Sequence, residues 1–181
     1  MAFIDHTQIW LRGEAVDMTA VSVAGFALLL LAGGLWRFAS TPLGQALVIP
    51  TTLIAVLFLG FGFYSVVSTP GQITKYTVAF DLDPSGFVQA ERDRIAAFEA
   101  LYRYTLIGAT IAFLSALGIY VLTDHATWRA IAIAFVFLGL SGLIVDGFSK
   151  ERATVYASAI DRALEDLQLE KSMDLEVSAE N

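Results

Sequence analysis

The chain has no cysteine. Disulfides, thiolate zinc sites, thiol nucleophiles and iron–sulfur clusters are therefore excluded from its chemistry. Histidine is scarce as well: His6 and His125 stand alone, and no HExxH pair is present to hold zinc on one helix face. Positive charge is in deficit. The balance is −7, which lacks the basic footprint of a nucleic-acid partner. Charge of either sign is 16% of the chain, and it avoids four long windows almost completely. Membrane enzymes and coupled transporters need ionisable groups at depth, and these windows place none near their centres. They also lack the paired aspartates of an intramembrane protease, a Ser/His pair at one depth, and the acidic ring or hydroxyl stripe of a selectivity filter. No enzyme activity and no cofactor are expected.

Hydrophobic residues are present in abundance, at 56% of 181 residues with a mean hydropathy of +0.66. The four apolar windows are 18–39, 43–68, 104–123 and 127–148. Each is about the twenty residues that a helix needs to cross a bilayer. The runs are continuous, without the period-2 alternation of a barrel strand. The fold class is an all-α membrane protein of four transmembrane helices. No secretory leader is expected, because Asp5, Glu14 and Asp17 precede the first window, which is itself too long for a signal core.

The joints suggest two tight hairpins. Thr41 and Pro42 read as cap and first residue of the second crossing, and Asp124 as the cap of the fourth. Nine Lys or Arg residues fall in the segments before, between and after the two hairpins: Arg12, Lys75, Arg92, Arg94, Arg103, Lys150, Arg152, Arg162 and Lys171. Only Arg37 and Arg129 fall on the other side. The positive-inside rule then places both termini in the cytoplasm, in two in–out–in hairpins. Trp36 and Trp128 fit an outer aromatic belt, and Trp10, Tyr64, Tyr102 and Tyr104 an inner one. Pro50, Thr51 and Thr52 put a kink and backbone-satisfying hydroxyls into the second crossing.

A shift of 84 residues aligns Ala32, Gly34, Leu35 and Trp36 with Ala116, Gly118, Ile119 and Tyr120. It also places Gln45–Ile49 on Arg129–Ile133 and Ser65 on Ser149. A duplicated hairpin would give parallel repeats about an axis along the membrane normal. Small residues mark packing seams: Gly108, Ala112 and Ala116 form a small-xxx-small ridge in the third crossing. Ala130, Ala134, Gly139 and Gly142 offer a second seam in the fourth, and Gly60 and Gly62 lie among rings in the second.

The polar parts have helical periodicity. Segment 1–17 reads as an N-terminal interfacial helix with Phe3, Ile4, Ile9, Trp10 and Leu11. In 70–103, Ile73, Tyr76 and Phe80 are followed by a break at Asp83-Pro84. Phe87 or Val88, Glu91, Ile95, Phe98 and Leu101 or Tyr102 then continue one stripe. This predicts a cytoplasmic helical hairpin that prolongs crossings two and three. Segment 149–169 predicts an amphipathic helix with Ala153, Tyr156, Ile160, Ala163 and Leu167 on one seam. The acidic tail at 170–181 reads as disordered. Lys150–Asn181 sums to −4, which disfavours lying on anionic lipid.

Asp146 sits about one turn inside the inner end of the fourth crossing. Lys150, four residues on, is a natural i,i+4 partner, and Arg12 is another. The residue reads either as an interfacial salt bridge or as a proton or cation site. Three segments together, HTQIWLRGE at His6–Glu14, FVQAERDRIAAF at Phe87–Phe98 and GLSGLIVDGFSKERATVY at Gly139–Tyr156, resemble an uncharacterised family of small bacterial four-helix integral membrane proteins. The resemblance implies a bacterial inner membrane and carries no activity. In that pattern Trp10, Glu14, Asp146, Phe148, Glu151, Arg152 and Tyr156 converge at the inner face, as the topology also expects. With Arg12 and Lys150 they form the candidate site, a polar–aromatic cluster that locks the N-terminus to the C-terminal helix. The expected function is that of a non-enzymatic membrane protein. It would self-associate or serve as an accessory subunit of a membrane assembly, with the lipid bilayer and another membrane protein as partners. The alternative is an oligomeric channel or small-solute transporter with its pore between protomers.

Overall fold

The structure is a computed structural model that describes residues 3–179, with the side chains of 174, 175 and 177–179 outside the description. Among these residues it is all-helical: α1 Phe3–Phe38, α2 Pro42–Leu82, α3 Pro84–Leu122 and α4 Ala126–Ala179. Each helix holds a stretch long and apolar enough to span a membrane. At 36, 41 and 39 residues, α1, α2 and α3 reach roughly 54–62 Å at 1.5 Å per residue, about twice a hydrocarbon layer. Each crossing is therefore one half of a longer rod. Segments 1–17, 70–103 and 149–169 are not separate elements but continuations of these rods. The part of the acidic tail that is described is helical to Ala179, since its Leu, Glu and Lys residues form helices readily; Glu180 and Asn181 lie outside the described residues.

Short caps close the joints. The Thr41 hydroxyl accepts from the Gly44 N–H at 3.2 Å, with Pro42 as first helical residue. Asp83 does the same before Pro84, accepting from the Gly86 N–H at 2.9 Å and the Ser85 hydroxyl at 3.0 Å. The backbone bond from Gly86, with the help of Ser85, holds its pKa below the ordinary carboxylate value. The third joint corrects the expectation for Asp124. His125 takes the cap position, and its carbonyl accepts from the Arg129 N–H at 3.1 Å. Asp124, one residue before the cap, instead pairs with the Arg129 guanidinium.

Glycine sets the approach of α1 to α2. A Cβ on Gly62 would stand 2.6 Å from the Met18 carbonyl oxygen, and one on Gly25 would stand 3.0 Å from that of Ala55. Gly60 faces open space. Between α3 and α4 a Cβ built on Gly139 would stand 3.0 Å from the Phe113 ring and 3.5 Å from Ala109 Cα, whereas Gly108 is exposed with nothing near it. The ridge thus runs Ala109, Ala112, Ala116, turned by one residue from Gly108, Ala112, Ala116, because Ala109 lies on the face that meets α4. Ala116, Ala132 and Gly139 are buried along this seam, and Ala130 is buried on another face of α4.

The 84-residue shift reappears in three dimensions. Phe38 ends α1 and Leu122 ends α3; Pro42 begins α2 and Ala126 begins α4. Gly25 packs on Ala55, and their counterparts Ala109 and Gly139 pack on each other with glycine and alanine exchanged. Ala32 and Ala116 are both 3% exposed. The register extends beyond the crossings, since Leu11 and Ile95 are both buried. Phe3 and Phe87 touch edge to face at 6.2 Å. A residue that meets its own counterpart lies beside the pseudo-twofold axis.

Ile54, Ala55 and Ala130 are buried within the apolar windows, but the cluster of large buried side chains lies outside them. Trp10, Leu11, Val88, Ile95, Tyr156 and Ile160 are buried together, with Phe3, Ile73, Tyr76, Phe80 and Phe98 among those packed around them. Along the crossings, large apolar side chains such as Leu30, Leu53, Phe63 and Leu114 are more than half exposed. That surface suits lipid, because a chain surrounded by hydrocarbon gains nothing from hiding leucine.

Candidate functional site

The three–four spacing of the polar segments turns four apolar faces toward one another at the ends of the rods that lie away from joints 39–41 and 123–125. Tyr156 of α4 stands at the centre. Its ring stacks with Trp10 at 5.6 Å and with Phe3 at 6.0 Å, both from α1. Its hydroxyl donates to Glu91 Oε2 of α3 at 2.7 Å and lies 2.8 Å from the Thr7 hydroxyl. Glu91 also accepts two bonds from Arg94, from Nε at 2.8 Å and from a terminal nitrogen at 2.5 Å. The Arg94 guanidinium lies 4.5 Å from the Trp10 ring and 5.5 Å from that of Tyr76 on α2. One network therefore ties all four helices.

Burial makes this network consequential. Thr7 is 0% and Glu91 4% exposed, so each buried oxygen must find a partner or destabilise the fold. Desolvation, followed by the bond to Glu91, pushes the Tyr156 phenol far above its ordinary value. For Arg94, burial works against the charge, but the hydrogen bond and charge of Glu91 outweigh it and the pKa rises. The phenol thus stays neutral and the Arg94 guanidinium charged over the physiological range.

A second lock lies one turn nearer the membrane. Arg152 of α4 donates to Glu14 at 3.0 Å and to Asp17 Oδ1 at 3.2 Å, and also pairs with Asp17 Oδ2. The Ser149 hydroxyl donates to the same Glu14 oxygen at 2.9 Å. Gly13 makes room for it: a Cβ there would stand 2.8 Å from Arg152 Cδ. Bonding to Asp17 first, and to Glu14 against the cost of burial, raises the Arg152 pKa.

Of the expected site residues, Trp10, Glu14, Arg152 and Tyr156 come together. Trp10 is only 7% exposed, so it belongs to the protein core and not to an inner aromatic belt or an interfacial helix. Arg12, Lys150 and Glu151 are exposed. Glu151 borders a groove with His6 and Val155, and Lys150 borders another with Glu99 and Arg103. The salt-bridge expectation for Asp146 is not met. Neither Lys150 nor Arg12 reaches it, and its Oδ2 is buried without a hydrogen-bond partner. Phe148 is exposed. Thr7, Asp17, Arg94 and Ser149 are additions. Glu91 carries the clearest signal, as a carboxylate on an otherwise apolar stripe, and Arg94 follows at i+3. Asp17 is likewise one turn beyond Glu14.

Between the two locks and the crossings lies a cavity of about 320 Å³. Four pairs of its lining residues are counterparts under the 84-residue shift: Trp10 and Arg94, Glu14 and Phe98, Phe61 and Val145, Ser65 and Ser149. The pseudo-twofold axis therefore passes through this space. Asp146 lines it too, and its counterpart Gly62 is the close-packing glycine of α2. Comparison with family models, with curated proteins and with solved structures finds no match for the chain.

Proposed function

We propose that this chain is a non-enzymatic four-pass protein of a bacterial inner membrane that holds a rigid helical platform on the cytoplasmic side. In this reading the crossings form two in–out–in hairpins with both termini inside. The platform serves self-association or an accessory role in a larger membrane assembly. The observation that carries the proposal is the position of the core. Every member of the buried aromatic–aliphatic cluster falls in segments 1–17, 70–103 or 149–169, and none in the four apolar windows. A bundle whose cluster of large buried side chains lies beyond the apolar windows is organised to present a surface there. The nine-to-two distribution of Lys and Arg supports a cytoplasmic position for that surface. The two outer joints are three residues each, 39–41 and 123–125, and leave little outside surface for a partner.

The test is reconstitution. Purified protein in liposomes should give ion flux indistinguishable from protein-free vesicles, while native mass measurement reports its stoichiometry. Flux that scales with the amount of protein would replace the platform with the channel reading.

A further inference from the structure

The arginines of the two locks, Arg94 and Arg152, are held by carboxylates. Arg103 of α3 and Lys150 of α4 form no ion pair among the described residues. Both are exposed, and both line one open groove of about 550 Å³ between α3 and α4. Arg103 is the last residue before the third apolar window, and Lys150 the second after the fourth. The groove therefore lies where hydrocarbon gives way to headgroups. A Cβ on Gly142 would stand 3.4 Å from the Thr105 methyl group, and this contact sets the register. From that level Arg103 lies two residues and Lys150 eight residues toward the joint of α2 and α3, so they start about 9 Å apart along the rods. Side chains lean toward the N-terminus of their own helix. In this antiparallel pair Arg103 leans away from the crossing and Lys150 toward it, so the two cations lean toward each other.

The groove holds one carboxylate, Glu99, which pairs with neither. Two positive charges against one negative leave a local surplus of one, in a chain whose balance is −7. Asp146, one turn before Lys150, lines the axial cavity and not this groove. The frame does not require these charges, because Thr19, Val66 and Ala15 stand at the counterparts of Arg103, Lys150 and Glu99. Ala96 and Ala100 add little bulk to the groove, and Leu106, 57% exposed, continues it into the third crossing.

We propose that this groove binds the headgroup of an anionic phospholipid. The phosphodiester, with its single negative charge, sits between Arg103 and Lys150, where arginine offers a planar fork of donors and lysine a point charge. One acyl chain follows Leu106 into the bilayer. Basic pockets between membrane helices recognise lipid headgroups by this chemistry. The site goes beyond the platform reading, since a platform needs no bound lipid.

The measurement titrates the full chain in non-ionic detergent with phosphatidylglycerol and counts bound lipid by native mass spectrometry. One phosphatidylglycerol should bind saturably. Phosphatidylcholine of the same acyl chains, whose quaternary ammonium cancels the charge, should require at least about fivefold higher concentration, the worth of one cation near a membrane surface. Joint replacement Arg103→Gln and Lys150→Gln should weaken phosphatidylglycerol by at least about tenfold, while Lys75→Gln with Arg92→Gln, which removes the same charge elsewhere, should not. Glycerophosphoglycerol, the same diester without acyl chains, should leave the lipid bound when added in excess. Equal binding of the two lipids, equal losses in the two double variants, or displacement by the soluble diester would overturn the proposal. The lipid comparison needs only the parent protein and decides the matter even if a variant does not fold.

Discussion

Tyr156 joins a carboxylate and a hydroxyl that the sequence holds 84 positions apart, Glu91 and Thr7. Tyr156→Phe keeps the stacking and removes both bonds, so it should cost about 1–3 kcal/mol, measured as thermal stability in detergent. The pH dependence follows from the raised phenol pKa. The folded state holds the proton more tightly than the unfolded chain. This contribution is therefore whole below about pH 10, the unfolded value, and is lost as pH rises beyond it. Wild-type protein should lose stability above pH 10 more steeply than the phenylalanine variant. Parallel alkaline profiles for the two would show that the hydroxyl is not held as described. Glu91 is visible in the sequence as an acid on an apolar stripe. Its partner is not, because bonds between residues 65 and 149 positions apart in the chain leave no local pattern.

At the scale of the helix, glycine in a membrane rod acts by what it lets approach. Gly62→Ala would drive a methyl group into the Met18 carbonyl and the Ser22 backbone of α1, and neither can yield without separating the helices. Gly108→Ala meets nothing within 4 Å and should be neutral or mildly stabilising, since alanine is the better helix former. Thermal unfolding of the two variants should differ in sign, with a loss of about 1–3 kcal/mol for Gly62→Ala. Equal effects would contradict the packing. The length and apolarity of the four helices are legible in the sequence because hydrocarbon demands a long unbroken run. So is the inner seam, whose spacing of three and four fits only one helix face. Gly108 against Ala109 is not legible: small residues are frequent in such helices, and ridges one residue apart fit the same motif. The continuity of each rod through the membrane surface is hidden for a related reason, because a change of composition marks a change of solvent and not the end of a helix.

At the scale of the molecule, the helix ends and several buried positions of α1–α2 and α3–α4 correspond under a shift of 84 residues. The symmetry is broken where the chemistry gathers: Trp10 faces Arg94, Gln72 corresponds to Tyr156, and Gly62 corresponds to Asp146. The repeat thus accounts for the frame, and the differences between halves account for the locks and the cavity. In the proposed topology the joint between α2 and α3 and the two outer joints, 39–41 and 123–125, lie on opposite sides of the membrane, with the bundle inside. The absence of native cysteine makes the decisive measurement clean. Single-cysteine variants Ser85→Cys and Ser40→Cys, expressed in intact bacterial cells, are treated with a membrane-impermeant maleimide before and after permeabilisation. Ser40→Cys should label at once and Ser85→Cys only after the cells are opened; labelling of both from the same side would contradict the account.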